Sequence, residues 1–125
     1  MIKKILPWIL VIIVVVAGIW SVARYANKPG PLDGFATCLS NSGAKFYGAF
    51  WCPHCAAQKK LFGKSVSLLP YVECSTPDGK EQTDVCKEKG IEGYPTWIFA
   101  DGSKLTGEIP LADLASKTSC TLPQQ

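Results

Sequence analysis

The sequence carries no excess of charge of either sign. Beyond Lys3 and Lys4 it has 11 basic and 10 acidic residues, a balance that excludes the electrostatic footprint needed to hold nucleic acid or an anionic surface. It has one histidine, His54, and neither an internal repeat nor a low-complexity tract. It also has few residues free to fold in water. Of 125 residues, the run Ile5 to Ala23 is apolar apart from Pro7 and Ser21. About Asp33 to Cys120 is left, enough for one small domain with one core, which excludes a multidomain enzyme.

What the sequence does have is cysteine: six, all between Cys38 and Cys120, on one side of the apolar run. As a helix that run is about 28 Å long, close to the roughly 30 Å hydrocarbon core of a bilayer. Trp8 and Trp20 fall near its two ends, at headgroup level. The reading is a single transmembrane anchor over residues 5–23 behind a short cytoplasmic N-terminus at 1–4. The alternative is a cleaved signal peptide with Lys3 and Lys4 as its basic start and Ser21-Val22-Ala23 as its cleavage site, although the run exceeds the usual length of about 7 to 15 residues. Both readings place the remainder on the extracytoplasmic side, where an oxidising space suits six cysteines in so small a domain. Residues 24–32, with Pro29-Gly30-Pro31, read as a semi-rigid linker. Residues 33–120 read as the folded domain and 121–125 as a tail.

Asp33 is placed as the N-cap of a helix to about Ser42, with Phe35, Ala36 and Leu39 inward and Gly43 ending it. Ala44 to Trp51 is an aromatic-rich run, expected as a central strand buried on both faces. It leads into Cys52-Pro53-His54-Cys55, where Pro53 suits the first position of a helix to about Phe62, capped by Gly63. Leu68 to Cys74 is the next strand, Thr76-Pro77-Asp78-Gly79 a turn, and Glu81 to Lys89 a helix. Thr96 to Ala100 and Lys104 to Gly107 form a hairpin about a two-residue Asp101-Gly102 turn, and Leu111 to Lys117 is the last helix. This order predicts an α/β domain, a mixed sheet with helices on its faces.

Two cysteines three apart at a helix start make a dithiol site. Unpaired N–H groups and the helix dipole favour negative charge at Cys52, which is therefore the expected attacking thiolate. Cys55, one turn on and more enclosed, is the resolving thiol that displaces substrate from a mixed disulfide. His54, between them, is expected to favour the thiolate further and so to make the disulfide form oxidising. A zinc site would have to add Cys74 and Cys86, but the 11 residues between those two do not make a metal knuckle, and no metal is expected. A purely structural Cys52–Cys55 bridge is the other alternative, and it would be a strained ring. Redox chemistry here needs no cofactor beyond the Cys52/Cys55 disulfide.

The motifs Trp51-Cys52-Pro53-His54-Cys55 and Tyr94-Pro95-Thr96 resemble the thioredoxin superfamily. More closely, Tyr47 to Cys55, Gln58 to Gly63, Tyr71-Val72-Glu73-Cys74, and Cys86-Lys87 with Gly90 to Trp97 are similar to the thioredoxin-like domain fused to bacterial and plant homologues of vitamin K epoxide reductase. The resemblance covers about residues 37 to 116. It implies a thioredoxin-like fold with a mixed four-stranded sheet, and Cys52 and Cys55 as the catalytic pair, assisted by Pro53 and His54. It implies Pro95 in cis opposite them, with Trp51, Tyr94 and Pro95 beside an extended substrate. Cys74 and Cys86 become a structural disulfide contributing roughly 3 kcal/mol. Electrons from cysteines of exported proteins would pass to a quinone-reducing membrane partner. The four-helix membrane part of that fusion does not occur in this sequence, so a separate membrane oxidase of the same type is the expected partner. Phe46 stands where many thioredoxins carry a buried acid, which leaves the Cys55 proton to water or another group. Cys38 and Cys120 lie outside the pattern; an even cysteine count points to a third bridge, with free or intermolecular thiols the alternative.

The expected function is a membrane-anchored thiol–disulfide oxidoreductase working as an oxidase. The rivals are a tethered reductase of the cytochrome c maturation type and a non-catalytic module that grips extended peptides at Pro95.

Overall fold

The aromatic run after Gly43 builds the centre of the sheet. In the computed structural model, which describes residues 2–124, β1 (Lys45–Gly48) lies between β2 (Tyr71–Glu73) and β3 (Thr96–Ile98), and β4 (Lys104–Thr106) forms the edge beyond β3. β1 and β2 run parallel with Phe46 beside Tyr71; β1 and β3, and β3 and β4, run antiparallel with Phe46 opposite Trp97. This is the mixed four-stranded sheet that the element order predicts. Met1, Gln125 and the side chain of Lys3, half of the basic pair expected before the span, lie outside the described residues.

Strand alternation sends successive residues of β1 to opposite faces. Phe46 enters the main core, stacked on Trp97 at 4.8 Å and edge-on to Tyr71 at 5.3 Å, while Tyr47 joins a second cluster with Cys74, Cys86 and Ile91. Both faces of β1 are therefore covered, as an uninterrupted apolar strand requires. Around the main core, α2 (Asp33–Asn41) buries Phe35, Ala36 and Leu39, and Phe35 stacks on Phe62 just past α3 (Pro53–Lys60). α5 (Leu111–Thr118) adds Leu114, and α4 (Asp84–Glu88) places Cys86 in the second cluster.

Several boundaries differ from expectation, each for a local reason. Leu32, not Asp33, is the N-cap of α2; it is buried in the core, and the Asp33 carboxylate accepts the Gly30 N–H at 3.0 Å from inside the first turn. β1 stops at Gly48 because the chain already turns towards α3, with the Cys52 N–H bonded to the Ala49 carbonyl at 3.1 Å. Gly63, at φ +52°, begins a 3-10 segment (Gly63–Leu68), so β2 starts only at Tyr71. The helix expected from Glu81 starts at Asp84, because Glu81 and Gln82 pair back on Thr76 and Ser75. The hairpin loop has three residues: the Gly102 N–H reaches the Phe99 carbonyl at 2.9 Å and the Phe99 N–H reaches the Ser103 carbonyl at 3.0 Å, with Gly102 at φ +79° in the position that favours glycine.

α1 (Ile2–Ala26) continues through Ala26, so residues 24–26 are helix and not linker. It is long and apolar enough to cross a membrane by length and composition, a test that a signal sequence also passes. The linker is fastened to the domain. The Leu32 N–H donates to Ser65 Oγ at 3.2 Å, and Lys64 Nζ donates to the Tyr25 carbonyl at 3.2 Å.

Candidate active site

Pro53 at the first position of α3 makes Cys52 its N-cap. There Cys52 Sγ accepts the Cys55 N–H at 3.2 Å, the bond a serine or aspartate oxygen makes in capping a helix, and the Cys52 thiol faces the Tyr94 carbonyl at 3.8 Å. Both cysteines are free thiols, Cys52 5% exposed and Cys55 1%. Burial first, and then its hydrogen bond with Cys52, push the Cys55 thiol up to about 12, against smaller downward pulls from the Ala49 backbone and Lys59. One sulfur is thus presented at a helix N-terminus and the other is kept protonated beneath it, the division of labour that attack and resolution require. Gly48 makes the room: a Cβ there would lie 2.9 Å from Cys55 Sγ and 3.0 Å from Tyr71 Cε2.

Trp51, Tyr94 and Pro95 gather around Cys52. The Tyr94–Pro95 bond is cis. Trp51 is more than half exposed, donates from Nε1 to Ser75 Oγ at 2.9 Å and meets the Tyr94 ring edge-on at 5.9 Å. The remaining cysteines are bonded in pairs. Cys74–Cys86 closes the loop that carries Ser75, and Cys38–Cys120 ties α2 to the segment after α5. Among the described residues no cluster of His, Cys, Asp and Glu could hold a metal ion.

His54 has a partner that the sequence did not suggest. Its ring is exposed, and Nδ1 lies 2.7 Å from Glu108 Oε1, so its hydrogen-bond partner is a carboxylate and not the Cys52 sulfur. Gln58 sets this up. Fully buried on α3, it donates to the Ile109 carbonyl at 3.0 Å and accepts the Ile109 N–H at 2.6 Å, which brings the neighbouring Glu108 to His54. Sequence reasoning missed Glu108, 54 residues from His54. A buried-side glutamine on α3 is the one local sign of it. Glu73 was missed as well: Oε1 accepts the Phe50 N–H at 3.2 Å and the Ser75 N–H at 2.9 Å, and Oε2 accepts the Tyr71 O–H at 2.7 Å.

Fold and dithiol together define a thiol–disulfide oxidoreductase domain. The chain belongs to the thioredoxin family, whose model, described as Thioredoxin, matches residues 43–119. It is 50% identical over 91 residues to a thiol-disulfide oxidoreductase of Arabidopsis thaliana, a match covering 69% of this chain and 24% of that protein. Protein disulfide-isomerases of Arthroderma benhamiae and Humicola insolens are 40% and 36% identical over 55 residues, covering 42% of this chain and 10% and 11% of theirs. The chain therefore spans less than a quarter of the length of each of these relatives.

Proposed function

We propose that this chain is a membrane-anchored oxidase that introduces disulfides into exported proteins and passes the electrons to a separate quinone-reducing membrane enzyme of the vitamin K epoxide reductase type. The observation that carries the reading is Cys52 Sγ in the capping position of α3, with Cys55 buried beneath it. A substrate thiolate attacks Cys52 of the oxidised pair, the Cys52–Cys55 bond breaks, and Cys55 leaves with the electron pair and takes up a proton. A second substrate thiolate then attacks the substrate sulfur of the mixed disulfide and expels Cys52 as thiolate. The substrate gains a disulfide and the domain holds two electrons, which a further exchange hands to the membrane partner.

The Tyr94 carbonyl beside the sulfur and the exposed rings of Phe50 and Trp51 offer an extended substrate segment a backbone acceptor and an apolar floor. An anchor formed by α1 would keep Cys52 near a membrane-embedded partner and raise its effective concentration there. The reduction potential of the Cys52/Cys55 couple tests the direction. The oxidase reading expects about −120 to −200 mV; a value below the roughly −270 mV of thioredoxin gives the reductase reading instead. A mature protein that begins at Arg24 would make α1 a signal and remove the tether.

A further inference from the structure

For Cys55 to attack a mixed disulfide it must lose a proton that burial holds tightly. The residue of β1 in the core below the pair, Phe46, has no group to accept it. The titratable side chains that reach this pocket come from two elements. From α3, Lys59 sets Nζ 3.5 Å over the Tyr71 ring. From β2, Tyr71 itself closes on Cys55: Tyr71 Cε2 and Cys55 Sγ both lie within 3.0 Å of one point, the Cβ position of Gly48, and so stand no more than about 6 Å apart. The Tyr71 hydroxyl donates to Glu73 Oε2 at 2.7 Å, and Glu73 is half-buried, with Oε1 fixed by the N–H groups of Phe50 and Ser75. Tyr71 therefore brings its ring edge towards the enclosed thiol while its hydroxyl is held by a half-buried carboxylate.

We propose that Glu73, acting through the Tyr71 hydroxyl, exchanges the proton of Cys55. The proposal rests on Cys55 being the resolving thiol. In resolution the Cys55 S–H bond breaks and its proton passes, by way of water, to the Tyr71 oxygen as the Tyr71 proton moves to Glu73 Oε2. The thiolate electron pair forms the bond to Cys52 Sγ; the bond from Cys52 to the substrate breaks, and its pair leaves on the substrate sulfur. In the opposite direction the Cys55 thiolate expelled by a substrate takes the proton back along the same line. Tyr71 is held neutral throughout, because burial, and then the hydrogen bond to Glu73, raise its ionisation well above the ordinary tyrosine value. It relays the proton and does not keep it. The Lys59 ammonium over the ring offsets the charge that appears as the thiolate forms.

The test uses the full chain with a peptide thiol preloaded as a mixed disulfide on Cys52, and follows release of the peptide over about pH 6 to pH 9. Tyr71→Phe and Glu73→Gln should each slow release by about 10²-fold near neutral pH, with the rate recovering about tenfold per pH unit as hydroxide replaces the relay. The rate at which Cys52 first attacks a small disulfide is the reference, and the slowing should be confined to release. Release from Tyr71→Phe at the wild-type rate, with an unchanged pH profile, would overturn the proposal. So would an equal slowing of attack and release in both variants, which would make Tyr71 and Glu73 supports of the loop at Phe50. If Cys55→Ser releases the peptide as fast as the wild type, the assignment of Cys55 has failed and the relay falls with it.

Discussion

Cys52 and Cys38 show that burial does not sort reactive sulfurs from structural ones. Cys52, placed to react, is 5% exposed, whereas Cys38, locked to Cys120, is only half-buried. Backbone position separates them. Cys52 caps a helix that Pro53 begins and receives an N–H on its sulfur, with its partner thiol three residues on. The bonded pairs join positions 12 and 82 residues apart, where a cross-link acts mainly by removing freedom from the unfolded chain.

The sharpest way to break this contrast is to remove the sulfurs one class at a time. Cys52→Ser should abolish disulfide exchange, and Cys55→Ser should accumulate mixed disulfides with substrate proteins, visible on non-reducing gels. Equal trapping by both variants would reverse the assignment of attacker and resolver. The structural pairs should respond in stability instead. Replacing Cys38 and Cys120 by Ala should cost about 4 kcal/mol, and replacing Cys74 and Cys86 about 3 kcal/mol. In a domain of this size either loss lowers the thermal midpoint by about 10 °C or more. A midpoint that does not move would show that the cross-link constrains nothing the fold does not already hold.

His54 sharpens the contrast on a smaller scale, because it lies within the Cys52–Cys55 motif and the sequence has no second histidine to stand beside the bonded pairs. His54→Ala removes a group able to carry positive charge at the start of α3 and leaves the Glu108 carboxylate unpaired beside it. The potential should fall by about 30 mV, equivalent to about 1.4 kcal/mol for the two-electron couple. An unchanged potential, measured against glutathione, would leave the helix N-terminus alone in setting it.

Local signals were legible in the sequence and distant partnerships were not. Pro53 between a strand and a helix, Gly43 at φ +85° after α2, and the inward triplet Phe35, Ala36 and Leu39 each follow from the residues within one turn. The strand ends were overrun because apolarity persists through Ala49 and Phe50 after the chain has begun to turn, and hydrophobic pattern cannot see that turn. The 3-10 segment at Gly63–Leu68 has no periodicity to betray it. His54 with Glu108, and Glu73 with Phe50, are made by folding elements together across 54 and 23 residues. The Asp33 cap failed for a related reason: Leu32 is claimed by the core, and the carboxylate finds Gly30 behind it.

The smallest expected effect distinguishes a buried thiol from a bonded sulfur by titration, since only the former can release a proton. In the folded, reduced domain the Cys55 thiol is pushed up to about 12, chiefly by burial, from an ordinary value near 9.0. The folded state then binds more protons than the unfolded state between those two values, so stability is fully present below about pH 9 and is lost as pH rises towards 12. By about pH 9.5 the reduced protein should have lost about 1 kcal/mol relative to neutral pH through this group. Urea unfolding of reduced wild type and of reduced Cys55→Ala makes the comparison, since only the former carries the enclosed thiol. The wild type should lose stability more steeply with pH than the variant. Parallel curves would mean that Cys55 gives up its proton as easily inside the domain as outside, and that its enclosure beneath Cys52 does not hold the resolving thiol in reserve.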